Sequence, residues 1–381
     1  MKRKIAIIDP LGAHGSSHHY YLFGQADGLK KSDVEVILYT NKETKVKKIK
    51  GLKLYQLYGK LFSSKNKIVS GVKYLTGSVL SVFHGRISGC TILHFHVFRT
   101  RLYMLFNLIL VKMVFGKVVL TIHDISAFAN NNDVIFFSKW IYKLTDLVLT
   151  HNEFSKTEIL KLNNFNLPKI KIIPHGNYIP FIDIQKDKLL SRKKLGIPEN
   201  KKVLLFFGMI KKVKGLEILL KALVKVKEKH TDVLLLIAGK EWENDFGLYQ
   251  KIIDEKNLQD FCFLHTKFIP DLDVAHYYCA SDLVVLPYKK IYQSGVLIMT
   301  LSFGKPILVS NLSPIKEIIT DNKNGFLFET ENVESLTKRI NFILKDKMLL
   351  EKVGKEGYKL ILTNYNWEGI GRKTKEAYQT V

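Results

Sequence analysis

The sequence predicts an α/β protein built from two Rossmann-like halves, each a parallel sheet covered by helices. Two observations carry this expectation. Short runs rich in Val, Ile and Leu alternate with amphipathic segments along the whole chain, as strands buried on both faces and joined by crossover helices do. The series also occurs twice, on either side of a polar, lysine-containing stretch at 178–197. At 381 residues with 46% hydrophobic content, the chain can fill two cores.

In the first half the expected strands are Ile5–Asp9, Val34–Tyr39, Thr91–His96, Val118–His123, Leu147–Thr150 and Ile170–Pro174. In the second they are Val203–Phe207, Val233–Ala238, Phe261–Leu264, Leu283–Leu286, Ile307–Ser310 and Phe326–Phe328. Helices are expected between them, for example at Gly215–Lys229 and Asn332–Lys345. The predicted division is a first domain over 1–180, a second over 181–363, and a terminal helix over 364–381. That helix either crosses back to the first domain or stays on the second. Ligands of doubly wound sheets bind beyond the carboxyl ends of the strands, so the site is expected in a cleft between the halves.

Three widely spaced cysteines show neither a metal-ligand spacing nor a disulfide framework, and the basic N-terminus leads into an apolar run too short for a signal-peptide core. The longest apolar run, Leu102 to Phe115, is interrupted by Asn107 and Lys112, short of the ~20 residues a spanning helix needs. A cytoplasmic protein is expected.

Net charge is +24, unevenly placed. From Thr44 through His123 there is no acidic residue, and that stretch carries 14 Lys+Arg. Such a surface suits anions, either lipid head groups or nucleic acid. Within it, Val69, Val72, Leu75, Val79, Val82 and Phe83 recur at helical spacing, with Lys65, Lys67 and Lys73 beside them. The pattern fits an interfacial helix on anionic lipid and equally a core-facing helix with exposed lysines. Helix-turn-helix signatures and the basic–aromatic interleaving of RNA-binding sheets are missing, so no nucleic-acid partner is expected.

Three loops could carry chemistry. The loop after the first strand holds Gly12 and Gly15 before a helix; it lacks the GxGxxG spacing, which argues against dinucleotide binding. It is either a plain turn or an acceptor-facing loop. The second half opens with Phe207-Gly208-Met-Ile-Lys211-Lys212-Val-Lys214-Gly215, a glycine-flanked lysine turn at a strand end, suited to a diphosphate or simply solvated. Ser294-Gly295-Val296 begins a helix, which fits either an ordinary serine cap or a phosphate site. His123-Asp124 ends a strand, where a polar pair is costly unless bonded or exposed. No nucleophile elbow, HExxH or EF-hand pattern appears, so no metal or other cofactor is expected.

In their order along the chain, FFGMIKKVKGLEILLKAL, LLLIAG, SDLVVLPY, SGVLIMTLSFGKPILVS, PIKEII and NGFLFE, with TIHD and IIPHG in the first half, resemble family 4 of the glycosyltransferases, retaining enzymes of the GT-B fold with sheets facing a central cleft. The resemblance implies that Lys214 and Lys211 hold the donor diphosphate, that Ser294, Gly295 and Val296 hold its distal phosphate, and that His123 faces the transferred sugar. It also implies that Gly12 and Gly15 approach donor and acceptor. The family's paired glutamates would fall on Ile291 and Met299, both apolar; a branch with Gln-Ser-Gly at this place also lacks the pair, and Glu317 is the nearest remaining carboxylate. The implied reaction moves a sugar from a nucleotide-sugar donor to a glycan or glycolipid acceptor at an anionic membrane surface, in bacterial surface-polysaccharide assembly. A nucleotide-sugar epimerase of the same fold and a catalytically silent partner subunit are the alternatives.

Overall fold

The computed structural model describes residues 3–13, 18–45, 49–63, 66–98, 102–124, 139–161, 168–184, 186–242 and 246–381. They form two compact units. Unit 1 combines Met1–Gly176 with Tyr365–Val381, and unit 2 is Asn177–Asn364. The terminal helix therefore belongs with the first unit.

Unit 1 is a seven-stranded parallel sheet of order β3-β2-β1-β4-β5-β6-β7. Its strands are β1 (Lys4–Ile8), β2 (Glu35–Tyr39), β3 (Lys53–Tyr55), β4 (Ile92–Val97), β5 (Lys117–Ile122), β6 (Leu147–Thr150) and β7 (Lys169–Ile172). Six match the expected strands. The seventh, β3, was not expected: Lys53-Leu-Tyr55 is a three-residue edge strand without an apolar run, and only its pairing with β2 makes it a strand. The central strands β1, β4, β5 and β6 are buried almost throughout, which explains why they are largely apolar, β4 alone among them burying two histidines, His94 and His96.

The helices of unit 1 are α1 (His18–Lys31), α2 (Lys67–Ile87), α3 (Leu102–Met113) and α4 (Glu153–Lys161), with the terminal helix described below. Among the described residues, no helix is long and apolar enough to cross a membrane. In α2 the buried side is made of small residues, Gly77, Ser78, Ser81, Val82 and Gly85. The larger apolar residues point the other way. Val69, Val72, Leu75, Val79, Leu80 and Phe83 are exposed, and Ile68 and Ile87 are 77% and 85% exposed. The core-facing alternative for this helix thus fails except at Val82. On α3 and just past it, Ile109, Met113 and Phe115 are also exposed.

Unit 2 is a six-stranded parallel sheet of order β10-β9-β8-β11-β12-β13. The strands are β8 (Lys202–Phe207), β9 (Val233–Ala238), β10 (Cys262–His265), β11 (Leu283–Leu286), β12 (Ile307–Ser310) and β13 (Phe326–Phe328), each within two residues of its expected place. Its helices are α5 (Lys188–Leu195), α6 (Leu216–Lys227), α7 (Gly247–Glu255), α8 (Asp271–Ala280), α9 (Gly295–Ser302), α10 (Ser313–Lys316), α11 (Val333–Ile343) and α12 (Lys347–Asn364). Helix α6 shows why the pattern was legible: Leu216, Leu219, Leu220, Leu223 and Val226 form one apolar stripe in the core beside Leu235 and Ile237, with Glu217 in the first turn and Lys225 and Lys227 in the last. In each sheet the chain starts mid-sheet and reverses direction, between β1 and β4 and between β8 and β11. The carboxyl ends of those four strands are where a doubly wound sheet binds ligand.

The terminal helix, α13 (Trp367–Tyr378), packs on α1. Asn366 caps it, accepting from Gly369 N at 2.8 Å. Trp367 fills a notch where Gly24, Gly28 and Gly176 have no side chain; a Cβ at any of them would collide with it. At the far end, Tyr378 OH reaches His94 Nδ1 on β4 at 2.7 Å, and Lys169 Nζ donates to the carbonyl of Thr380 at 2.8 Å.

Candidate functional site

In unit 2 the lysine turn and the start of α9 meet at the reversal point of the sheet. After β8, Ile210 bridges to Glu241, and Trp242 N donates to Ile210 O at 3.0 Å, tying this loop to the one after β9. Lys211 Nζ lies 3.9 Å from the centre of the Trp242 ring. Residues Lys212–Lys214 make a single 3-10 turn, closed by Gly215 at φ +68°. Only glycine serves there, since a side chain would meet both a strained backbone and the carbonyl of Pro287. Lys289 N donates to Val213 O at 2.9 Å, and the Lys289 ammonium pairs with Glu217, so the turn is stitched to the loop after β11.

Lys214 Nζ stands 4.1 Å from the centre of the Tyr288 ring. The hydroxyl of Tyr288 shares a 3.0 Å hydrogen bond with Ser294 Oγ, which caps α9 by accepting from Leu297 N at 3.1 Å. Burial pushes the Tyr288 hydroxyl well above the ordinary phenol range, so it stays neutral. Gly295 and Val296 supply the first amides of α9, which have no partner within the helix. The packed neighbours leave little room for larger residues: Tyr178 OH lies against Gly295, and Val296 borders Gly208. An ammonium, a fixed hydroxyl pair and a helix N-terminus thus converge, a donor set for a diphosphate. Of the positions expected from the resemblance, Lys211, Lys214, Ser294, Gly295 and Val296 fall on these two loops. Met299 is buried within α9, where a carboxylate would be costly. Glu317 follows α10 and is exposed.

In unit 1, Asp9 at the end of β1 accepts from Leu11 N at 2.9 Å and pairs with His18 Nε2 at 2.7 Å. Asn41 donates to the carbonyls of Pro10 and Leu11 at 2.7 and 2.9 Å, and Ala13 N donates to Thr44 Oγ1 at 3.2 Å. These bonds shape the loop that carries Gly12. Gly15 lies outside the described residues.

His123 does not stand alone. Its Nε2 lies 2.9 Å from His96 Nδ1, and its Nδ1 lies 3.0 Å from His151 Nε2. His96 Nε2 faces Gln25 Oε1 at 3.0 Å, and His151 Nδ1 faces the carbonyl of Ile173 at 2.9 Å. A line of three imidazoles therefore crosses the ends of β4, β5 and β6. Beneath it, His94 bonds Thr121 Oγ1 and Tyr378 OH, both at 2.7 Å. Phe98 stacks flat on His123, with ring centres 4.5 Å apart. His175 packs its ring beside that of His151, with centres 5.7 Å apart. Burial is the main cause that holds these five imidazoles neutral, lowering His151 to about 4, His94 and His175 to about 3, and His96 and His123 well below 6.5. His18, His96 and His123 also present ring nitrogens within 4.8 Å of one another, so three buried metal-ligand types are adjacent. In the structure, however, His96 and His123 direct nitrogens at each other, and His18 directs Nε2 at Asp9.

Sequence reasoning missed Tyr288, Asp9, Asn41, His96 and His151. The alternation His94-x-His96 on a strand was one available signal. Tyr288 and Asp9 lie within ten residues of their partners, whereas Asn41 and His151 are separated from theirs by tens of residues and meet them only in the fold.

The charge of the acid-free stretch is partly spent inside the fold. Lys112 and Lys117 pair with Asp146, at 2.5 and 3.4 Å, and Arg86 donates to the carbonyls of Val114 and Cys90.

Residues 187–360 match the family model described as glycosyl transferases group 1. The chain is 28% identical over 205 residues to spore coat protein SA of Bacillus subtilis, a match covering 51% of this chain and about half, 53%, of that protein. It is 25% identical over 278 residues to O-antigen chain mannosyltransferase B of Escherichia coli, covering 69% and 70% of the two chains. Among solved structures, Anabaena HepE in complex with UDP superposes with a TM-score of 0.76 at 15% identity, covering 99% of this chain and 100% of that one. That likeness shows the fold alone, two Rossmann-like units of the GT-B type.

Proposed function

We propose, from the match of residues 187–360 to the family model described as glycosyl transferases group 1, that the chain is a retaining glycosyltransferase that moves a sugar from a nucleotide-diphosphate sugar to a lipid-linked or growing glycan in surface-polysaccharide assembly. The observation that carries this is the contiguous line Lys214–Tyr288–Ser294, which sets an ammonium beside the N-terminus of α9 at the reversal point of the unit 2 sheet. Support for a nucleotide donor comes from the Anabaena structure, a complex with UDP. Support for a surface glycan comes from the E. coli relative, an O-antigen chain mannosyltransferase.

In this reading the acceptor hydroxyl oxygen bonds to the anomeric carbon as the bond from that carbon to the phosphate oxygen breaks on the same face. The hydroxyl proton leaves with the diphosphate. Lys211, Lys214 and the amides of Gly295 and Val296 stabilise the charge that grows on it, an electrostatic contribution that needs no reorganisation and no metal. Gly12 and Gly15 lie in the loop assigned to donor and acceptor, and Glu317 is the carboxylate assigned to a sugar or ribose contact.

Unit 1 docks on an anionic bilayer at the inner face of the plasma membrane. The exposed apolar side of α2, flanked by Lys67 and Lys73, supports this docking. Lys65 lies outside the described residues. The test is thermal stabilisation by a panel of nucleotide sugars, followed by acceptor-dependent transfer with the one that binds. No stabilisation by any nucleotide or nucleotide sugar removes the proposal. Binding without acceptor-dependent transfer points instead to the epimerase or the silent partner.

A further inference from the structure

The histidine line in unit 1 determines where its protons sit. A carbonyl oxygen only accepts, so the 2.9 Å contact with Ile173 O requires a hydrogen on His151 Nδ1. A neutral His151 then has a bare Nε2, which accepts from His123 Nδ1–H. His123 Nε2 is bare in turn and accepts from His96 Nδ1–H. His96 Nε2 is left bare and needs a donor. The Gln25 amide, placed with Oε1 at 3.0 Å and with a buried Nε2 that meets no partner, supplies one when its oxygen and nitrogen exchange places. One carbonyl at the end of β7 thus sets the tautomer of three rings in succession.

The line cannot conduct a proton through the unit, because the Ile173 carbonyl takes none. It works as a lock. We propose that His96 and His151 are positioning residues that hold His123 as the neutral Nδ1–H tautomer, with no ring N–H left for a bound ligand. His123 then offers only its carbonyl oxygen and carbon edge. Resting on the glycosyltransferase reading, this means that His123 contacts the transferred sugar without giving it a ring hydrogen and exchanges no proton in the reaction. Both ring nitrogens of His123 are already engaged, so the metal alternative for His18, His96 and His123 requires its bond to His96 or its bond to His151 to break, and the two arrangements exclude each other.

Long-range 1H–15N correlation spectra of the full 15N-labelled chain at pH 7 report the tautomer of each ring without any substrate. The expected result is Nδ1–H for His96, His123 and His151, assigned with single variants. His151→Leu removes the acceptor and should release His123 toward the Nε2–H form, which is commoner in water. His151→Gln keeps an amide that can accept from His123 and donate to Ile173 O, and should retain the lock. An Nε2–H or doubly protonated His123 in the unsubstituted chain overturns the inference, as does an unchanged His123 in a folded His151→Leu protein. If the leucine variant does not fold, the unsubstituted and glutamine spectra decide. One equivalent of Zn2+ that binds and shifts His18, His96 and His123 together also overturns it, in favour of a metal centre. Failure of sugar transfer would leave these spectra unaffected, so the two proposals fail separately.

Discussion

Lys214 Nζ sits 4.1 Å above the Tyr288 ring, and the hydroxyl of that ring bonds the serine that caps α9. The lysine is thereby held where the helix N-terminus already attracts anions, while Lys212, in the same turn, is exposed.

Lys214→Ala should lower turnover ~100-fold or more, since losing one preorganised charge contact costs a few kcal/mol in the transition state. Lys212→Ala should leave turnover nearly unchanged. Steady-state kinetics of both variants check this, and equal losses would remove Lys214 from the donor site.

Activity should survive excess chelator. Lysines and helix amides neutralise the departing diphosphate in the proposed site, and its donor set lacks the carboxylate oxygens that Mg2+ or Mn2+ prefers. Transfer assays with and without EDTA decide; complete loss restored by Mn2+ would place a metal in the site.

Binding to liposomes should require anionic lipid and weaken steeply with salt. Each lysine near such a surface contributes ~1 kcal/mol, and the attraction fades beyond a Debye length. Lys67/Lys73→Glu should reduce flotation at low salt. Ile68/Val72/Leu80→Ser should remove the part that salt leaves intact, because those side chains are exposed and apolar. If both variants float like the unsubstituted protein, α2 is not the docking face.

Stability should fall as pH drops from ~6.5 toward ~4. Burial lowers His151 to about 4 and His94 and His175 to about 3, and His96 and His123 move in the same direction. His18, Asp9, Tyr21 and Tyr378 pack around the same cluster. Between those values and 6.5 the unfolded chain binds more protons than the native one, so stability is complete above 6.5 and lost progressively below it. Each such histidine adds a slope of ~1.4 kcal/mol per pH unit. Urea titrations at pH 7.5, 6 and 5 measure the slope, and a midpoint independent of pH would mean that the cluster takes up protons as readily in the native state as in the unfolded chain.

Much was legible in the sequence because it depends on neighbours along the chain. Apolar runs bounded by turns marked twelve of the thirteen described strands, since strands covered on both faces are mostly apolar, and even the alternating Lys169–Ile172 carries isoleucine at every second position. The lysine turn before Gly215 and the serine cap of α9 are local as well, being set by backbone conformation within a few residues. Other features have no local signal. The edge strand β3 exists only through its pairing with β2. The apolar stripe of α2 has the same period whether it faces a core or lipid, and the fold decided by burying Gly77, Ser81 and Gly85 instead. The terminal helix sits with unit 1 because Gly24 and Gly28 on α1 and the distant Gly176 together leave a notch for Trp367. His96, His123 and His151 come into line because parallel register brings the ends of β4, β5 and β6 side by side, although the residues are 27 and 28 positions apart. Periodicity reports which residues are buried; only the packed sheet determines which of them meet.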